Sequence, residues 1–178
     1  MKEIRLKDYS RIIIREANVN DAKKMLKYLD QISCESDFLT FGKGEFNLNL
    51  QQQEQFIEST SKQKNALFLV AEHEGEIIGN LNFSAGIRPR TMHTGEFGVS
   101  VLKDYWGKSI GTELIKYLIQ WCHDSKIIKK VNLRVRTDNQ SAIHVYEKLG
   151  FKIEGTITRE FKINDRFYDT LFMGLNID

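Results

Sequence analysis

The chain has 178 residues, 41% hydrophobic and 28% charged, enough for one globular domain with its own core and short for two. Lys plus Arg is 26 against 24 Asp plus Glu, a net charge of +2 that argues against a general polyanion binder, nucleic acid included. No apolar run nears the roughly 18 residues of a membrane span, Met1 to Arg5 holds no apolar signal core, and Cys34 and Cys122 lack C-x-x-C or metal spacing, so a reduced, cytoplasmic chain with no membrane partner is expected.

Strand-like and helix-like stretches alternate, with one proline, Pro89, and no repeat or linker. That points to an α/β or α+β architecture in a single domain, 1–178, with its core over about 11–175. Arg11 to Glu16 carries Ile12-Ile13-Ile14, a β-branched run that predicts the first strand. Asn18 or Asn20 then caps a helix through about Ser33, with Ala22, Met25, Leu26, Leu29 and Ile32 on one stripe. Gln51 to Ser61 reads as a weaker helix with Phe56 and Ile57 inward.

Leu67 to Ala71 and Ile77 to Phe83 read as strands joined at Glu74-Gly75-Glu76. Glu96 to Val101 alternates, with Phe97, Val99 and Val101 on one side and Glu96, Gly98 and Ser100 on the other. Ile110 to Ser125 is strongly amphipathic, and Lys130 to Arg136 alternates again. Asp138 or Asn139 caps a helix that Gly150 stops, and a hairpin around Asn164-Asp165 ends the chain. The order is β-α-α-β-β-β-α-β-α-β-β. It fits a mixed, mostly antiparallel central sheet flanked by helices, with one parallel crossover in the middle.

The informative stretch runs from Val99 to Leu114: strand, glycine-bearing turn, helix. The first amides of a helix have no intrahelical partner, and with the macrodipole they favour a phosphate or pyrophosphate. Gly107 and Gly111 let the backbone approach an anion, and Lys108 adds a charged donor. The turn is neither Walker A nor G-x-G-x-x-G, which lowers nucleoside-triphosphate and nicotinamide readings.

Together with Asn139-Gln140-Ser141-Ala142 through Tyr146 to Gly150-Phe151, this stretch resembles the GNAT acetyltransferase superfamily. That family shows Q/R-x-x-G-x-G/A and, after a helix and a strand, N-x-x-A-x-x-x-Y-x-x-x-G-F. The second part matches at Asn139, Ala142, Tyr146, Gly150 and Phe151. The first departs at Trp106 and Ser109 and matches at Gly111. If Ser109 takes positive φ, it costs roughly 1–2 kcal/mol more than glycine.

The resemblance implies a single acetyltransferase domain with acetyl-CoA as co-substrate and no metal. The pyrophosphate would lie on the amides of Lys108, Ser109, Ile110, Gly111 and Thr112. The pantetheine would lie along Val99 and Val101, with Asn139 bonding it besides capping its helix. The acceptor would be a small-molecule, peptide or protein amine. Among branches, the turn and the Phe151 to Gly155 stretch look like acetylases of ribosomal-protein N-termini and of polyamines. From resemblance alone, a homodimer is a further expectation.

Deprotonating an alkyl ammonium near pH 7 costs roughly 4–5 kcal/mol, whereas expelling a thiolate costs roughly 2 kcal/mol, so the acceptor needs a base more than the sulfur needs an acid. Glu96 is the candidate base, directly or through water, and equally a carboxylate on the polar side of a half-exposed strand. Tyr146 is the candidate acid toward sulfur, and its alternative is a packed aromatic. His73, His93, His123 and His144 show no metal spacing, no G-x-S-x-G is present, and Cys122 reads as a packing residue. Trp106 and Tyr105 read as packing over the turn, with a cover over part of the coenzyme as the alternative for Trp106, and Phe38, Phe41 and Phe46 as acceptor lining or loop anchors.

Two rivals stay open: an aminoglycoside-type acetylase, which extended acidic lining would favour, and a non-catalytic acyl-CoA sensor. Between Tyr28 and Ser61, Asp30, Glu35, Asp37, Glu45, Glu54 and Glu58 face Lys43 alone. The expectation is an acidic acceptor side and a basic coenzyme side that includes Lys103, Lys108, Lys130, Arg134 and Arg136.

Overall fold

A computed structural model describes residues 1–6 and 10–178. The described strands are β1 Lys2–Arg5, β2 Arg11–Glu16, β3 Ala66–His73, β4 Glu76–Ala85, β5 Thr94–Val101, β6 Lys130–Arg136, β7 Lys152–Ile163 and β8 Arg166–Asn176. The helices are α1 Ala22–Glu35, α2 Leu50–Ser61, α3 Ile110–Ser125 and α4 Gln140–Lys148, with short 3-10 turns at Val19–Asp21 and Lys103–Tyr105. The strands form one 8-stranded sheet, ordered β1-β2-β3-β4-β5-β6-β8-β7. Among the described strands only β5 and β6 pair in parallel, and α3 is the crossover that a parallel pair requires.

The expected element order holds, with one addition. β1 lies outside the expected 11–175 core and pairs antiparallel with β2, Ile4 opposite Ile12. Its Lys2-Glu3-Ile4-Arg5 carries one apolar residue, too little for a strand signal. A second correction concerns α2. Ile57 is buried, but Phe56 is 37% exposed and meets the core only by its edge against Phe68.

Local chemistry sets the boundaries. Asn18 accepts from the Asn20 amide while Asp21 accepts from the Asn18 amide, so the entry to α1 is capped reciprocally. Asp21 is buried and takes both ends of the Arg15 guanidinium at 2.7 and 2.8 Å. Arg15 also reaches Glu72 at 2.6 Å, tying β2, β3 and α1 together. Glu74 and Gly75 both adopt positive φ between β3 and β4, as a tight hairpin turn requires. Asn164 and Asp165 do the same between β7 and β8.

Alternation divides the sheet into two faces. Phe83 meets Trp121 of α3, and Phe97 meets Tyr146 of α4, so the odd-numbered residues of β5 face α3 and α4. Phe68 meets Phe56 of α2, and Ser100 meets Tyr28 of α1, so Glu96, Gly98 and Ser100 face α1 and α2. Asn132 lies opposite Glu96, which puts Asn132, Arg134 and Arg136 on that second face too.

Candidate active site

The turn between β5 and α3 is built to leave donors free. Gly107 and Ser109 adopt positive φ, 72° and 63°, and Ser109 stands immediately before α3 with no side-chain cap. Among the described residues, the amides from Gly107 to Thr112 have no hydrogen-bond partner, and the first cap bond is from Glu113 to the Ser109 carbonyl. Such a run, at the positive end of a 16-residue helix, is an anion cradle. A Cβ at Gly111 would meet only Val101 Cγ2, at 3.9 Å, so packing within the chain does not demand this glycine. The bare Cα instead leaves room above the turn. Lys108 lies with its Nζ 5.0 Å from the centre of the Tyr105 ring.

Beside the turn, the sheet opens. β5 and β6 pair from Thr94 with Lys130 to Glu96 with Asn132, and no further. The Leu102 amide bonds the Ile78 carbonyl on β4, so by alternation Val99 and Val101 turn their backbone groups toward the gap. Both side chains are half-buried, as expected beside an opening. One group is already engaged: the indole Nε1 of Trp106 donates to the Val101 carbonyl at 2.7 Å. Trp106 thus bonds back to the end of β5. It is 49% exposed.

Asn139 accepts from the Ala142 amide at 3.2 Å and caps α4. α4 carries Tyr146, which is 8% exposed and set among Phe97 and Phe151 at 6.1 and 6.0 Å. Burial pushes the Tyr146 phenol up to about 12, so it stays protonated and able to donate. Its hydroxyl has no hydrogen-bond partner among the described residues. Cys122 is buried on α3, and burial pushes its thiol up to about 12, which suits packing and not nucleophilic work.

Glu96 lies on the face of the sheet opposite Tyr146, at the last pair before β5 and β6 part. Arg134 donates from Nε to Glu96 Oε1 at 2.9 Å and from Nη2 to Oε2 at 3.1 Å. Its Nη1 donates to Glu160 at 2.5 Å, and the Thr170 hydroxyl donates to the other Glu160 oxygen. Bonds from Glu96 and Glu160 hold the guanidinium more firmly charged than usual. Burial pushes the Glu160 carboxyl up, but Thr170 and Arg134 outweigh it, and the net direction is downward. Asn132 donates to Thr94, while its Oδ1 is buried without a partner among the described residues.

The expected charge sorting is corrected here. Arg134 and Arg136 lie on the α1/α2 face, away from α3, and both are paired with carboxylates. Arg136 is buried, clamps Asp138 at 3.0 and 2.6 Å, and donates to the Asp37 carbonyl at 2.7 Å. Phe38 stands on its guanidinium at 4.7 Å, while Phe41 and Phe46 pack together at 4.8 Å. These aromatics anchor the segment between α1 and α2. Glu35 accepts from the Lys103 amide at 2.7 Å, tying that segment's start to the anion turn. Glu160 and the Arg134 clamp escaped the sequence reading, although alternation on adjacent strands already places Glu96 and Arg134 on one face.

A cavity of about 380 Å³, lined by Ile57, Phe68, Trp121 and Ile127 among others, lies at the opposite end of α3. It meets none of these groups. No helix among the described residues is long and apolar enough to cross a membrane.

The chain is similar in sequence and in fold to known proteins. Residues 27–151 match the acetyltransferase (GNAT) family, and the chain belongs to that family. An acetyltransferase of the GNAT family from Streptococcus pneumoniae superposes with a TM-score of 0.90 at 33% identity, covering 94% of this chain and 99% of that one. The L-amino acid N-acetyltransferase AaaT of Escherichia coli (strain K12) is 32% identical over 105 residues, 59% of this chain and 65% of that protein. Spermidine N(1)-acetyltransferase from the same strain is 33% identical over 78 residues, 44% of this chain and 42% of that protein. The matches to these two curated relatives thus span less than two thirds of their length.

Proposed function

We propose that the chain is an N-acetyltransferase that moves the acetyl group of acetyl-CoA onto a primary amine. The observation that carries this is the unpartnered run of amides from Gly107 to Thr112, opening beside the parted strands. In this reading Lys108, Ser109, Ile110, Gly111 and Thr112 take the pyrophosphate. The backbone of Val99 and Val101 and the side chain of Asn139 hold the pantetheine arm. The Gly111 Cα leaves the space that arm of the molecule needs.

When bound, the coenzyme supplies a thioester whose acetyl carbon accepts the amine: a C–N bond forms and the C–S bond breaks. The acceptor ammonium gives up two protons in all. Glu96, on the α1/α2 face, takes one toward solvent. Tyr146, on the α3/α4 face, gives its phenol proton to the departing sulfur, and the second amine proton restores the phenol, so the coenzyme leaves as the free thiol. The division of labour follows from the two faces: base on the acceptor side, acid on the coenzyme side, meeting in the gap.

A small amine fits better than an aminoglycoside, because the half-exposed Arg134 interrupts the acidic lining such a polycation would need. A homodimer belongs to the same reading: β7 is the outer strand of the sheet and exposes Ile153 and Ile157, at 52% and 38%. Light scattering at micromolar concentration tests it.

The donor assignment is tested by thermal unfolding with acetyl-CoA. Ligand at about 100 times its Kd should stabilise the fold by about 2.7 kcal/mol. No change in Tm at millimolar acetyl-CoA removes the donor. The sensor alternative predicts the same Tm rise with no thiol released across an amine panel.

A further inference from the structure

This inference rests on the transferase reading and names the class of acceptor. The mouth of the gap on the α1/α2 face presents one negative and one positive centre side by side, Glu96 and Arg134. They are not equally held. Glu160, whose side chain is 19% exposed, holds the far side of the guanidinium and is itself held by Thr170. Glu96 is 39% exposed and occupies the Nε/Nη2 edge of Arg134 with both oxygens. Arg134 is thus anchored from behind, and the edge it turns to the mouth is spent on an exchangeable carboxylate.

That edge is the fork that binds a free carboxylate in two parallel hydrogen bonds. A ligand carboxylate can replace Glu96 there bond for bond, with the charge on Arg134 balanced throughout. An amine arriving without such a group leaves Glu96 clamped. A polyamine also brings further positive charge against Arg134.

We propose that the acceptor is an α-amino acid, an amine with a carboxylate on the adjacent carbon, and that Arg134 binds this carboxylate. Displaced from Arg134, Glu96 turns to the ammonium. The substrate zwitterion then lies antiparallel to the Glu96–Arg134 pair, each charge on its opposite. Arg134 is the specificity determinant, and its ion pair with Glu96 is the resting state that the correct substrate opens. Phe38, beside Arg136, gives the neighbouring wall an apolar surface, so apolar side chains are the first to try.

The test compares matched pairs: L-phenylalanine with 2-phenylethylamine, L-leucine with 3-methylbutylamine, and spermidine as the polycation, all with acetyl-CoA and thiol release as readout. The purified protein should favour each amino acid over its decarboxylated partner by at least 10-fold in kcat/KM. In Arg134→Gln that ratio should fall by roughly 10- to 100-fold, chiefly through the amino acid's KM. Arg134→Lys keeps the charge without the fork and should fall between, and an acetyl-CoA Tm shift in both variants shows that the fold and donor site persist. Decarboxylated amines or spermidine used as well as amino acids, or an unchanged ratio in Arg134→Gln, overturns the proposal. So does a donor-induced Tm shift with no amino acid acetylated. Absence of that shift in the parent protein overturns the donor reading itself, and the acceptor class falls with it.

Discussion

Ser109 shows how one residue records the demands of a site. Its φ of 63° is a left-handed conformation that costs a serine roughly 1–2 kcal/mol relative to glycine. Nothing in its hydrogen bonding offsets that, since the side chain makes no cap. Ser109→Gly should therefore keep or raise Tm, by up to a few degrees, and retain acetyl-CoA binding. Loss of binding with the fold intact would show that the hydroxyl itself contacts the anion. Tyr146 is the converse case, a group set in an apolar pocket with a free hydroxyl. Tyr146→Phe should lower kcat by 10-fold or more while leaving the acetyl-CoA Tm shift nearly intact, as an acid acting on the leaving group requires. Unchanged kcat would return Tyr146 to packing. Tyr146 stands out in the sequence because Asn139, Ala142, Gly150 and Phe151 carry the family pattern around it. Arg134 does not, because a basic residue in an alternating strand reads as a solvated face until its partners on β5 and β7 are seen.

At the scale of elements, β6 and α3 have the bounds that alternation and amphipathicity predict, Lys130–Arg136 and Ile110–Ser125. Those signals are local, and local signals survive folding. β1 has no such signal and exists because β2 offers it an edge. Charge placement failed for the same reason. Counting Lys and Arg along the chain ignores which side of a strand they face, so Arg134 and Arg136 were assigned to the coenzyme although they stand on the other face. The Arg15 network makes an element-level prediction. Burial pushes Asp21 up, but the bonds from Arg15 and Asn18 outweigh it, and the carboxyl titrates below its usual range. A depressed carboxyl contributes stability above its unfolded pKa of about 3.9 and loses it as pH falls through its folded value. Tm should accordingly drop as pH goes below about 4, and Arg15→Ala should cost about 3 kcal/mol or more at neutral pH by leaving Asp21 buried and unpaired. A cost under 1 kcal/mol in urea unfolding would mean that the site hydrates freely.

The molecule as a whole is a sheet pried open at one parallel pair, with separate machinery on its two faces. The unpartnered amides before α3 and Tyr146 belong to the α3/α4 side. Glu96, Arg134 and the aromatic-anchored segment after α1 belong to the α1/α2 side. Glu96→Gln should lower kcat/KM most at the acid end of the pH profile, where a protonated amine depends most on a base. A profile of unchanged shape would pass that role to water. The central claim is that an acetyl group crosses the gap between the faces, and one assay reads it: purified protein, acetyl-CoA and an amine panel, followed by thiol release and by mass of the product. The account predicts coenzyme A released one-for-one with an amine heavier by one acetyl group. No acetylated product from any amine, with no Tm response to acetyl-CoA, would contradict it.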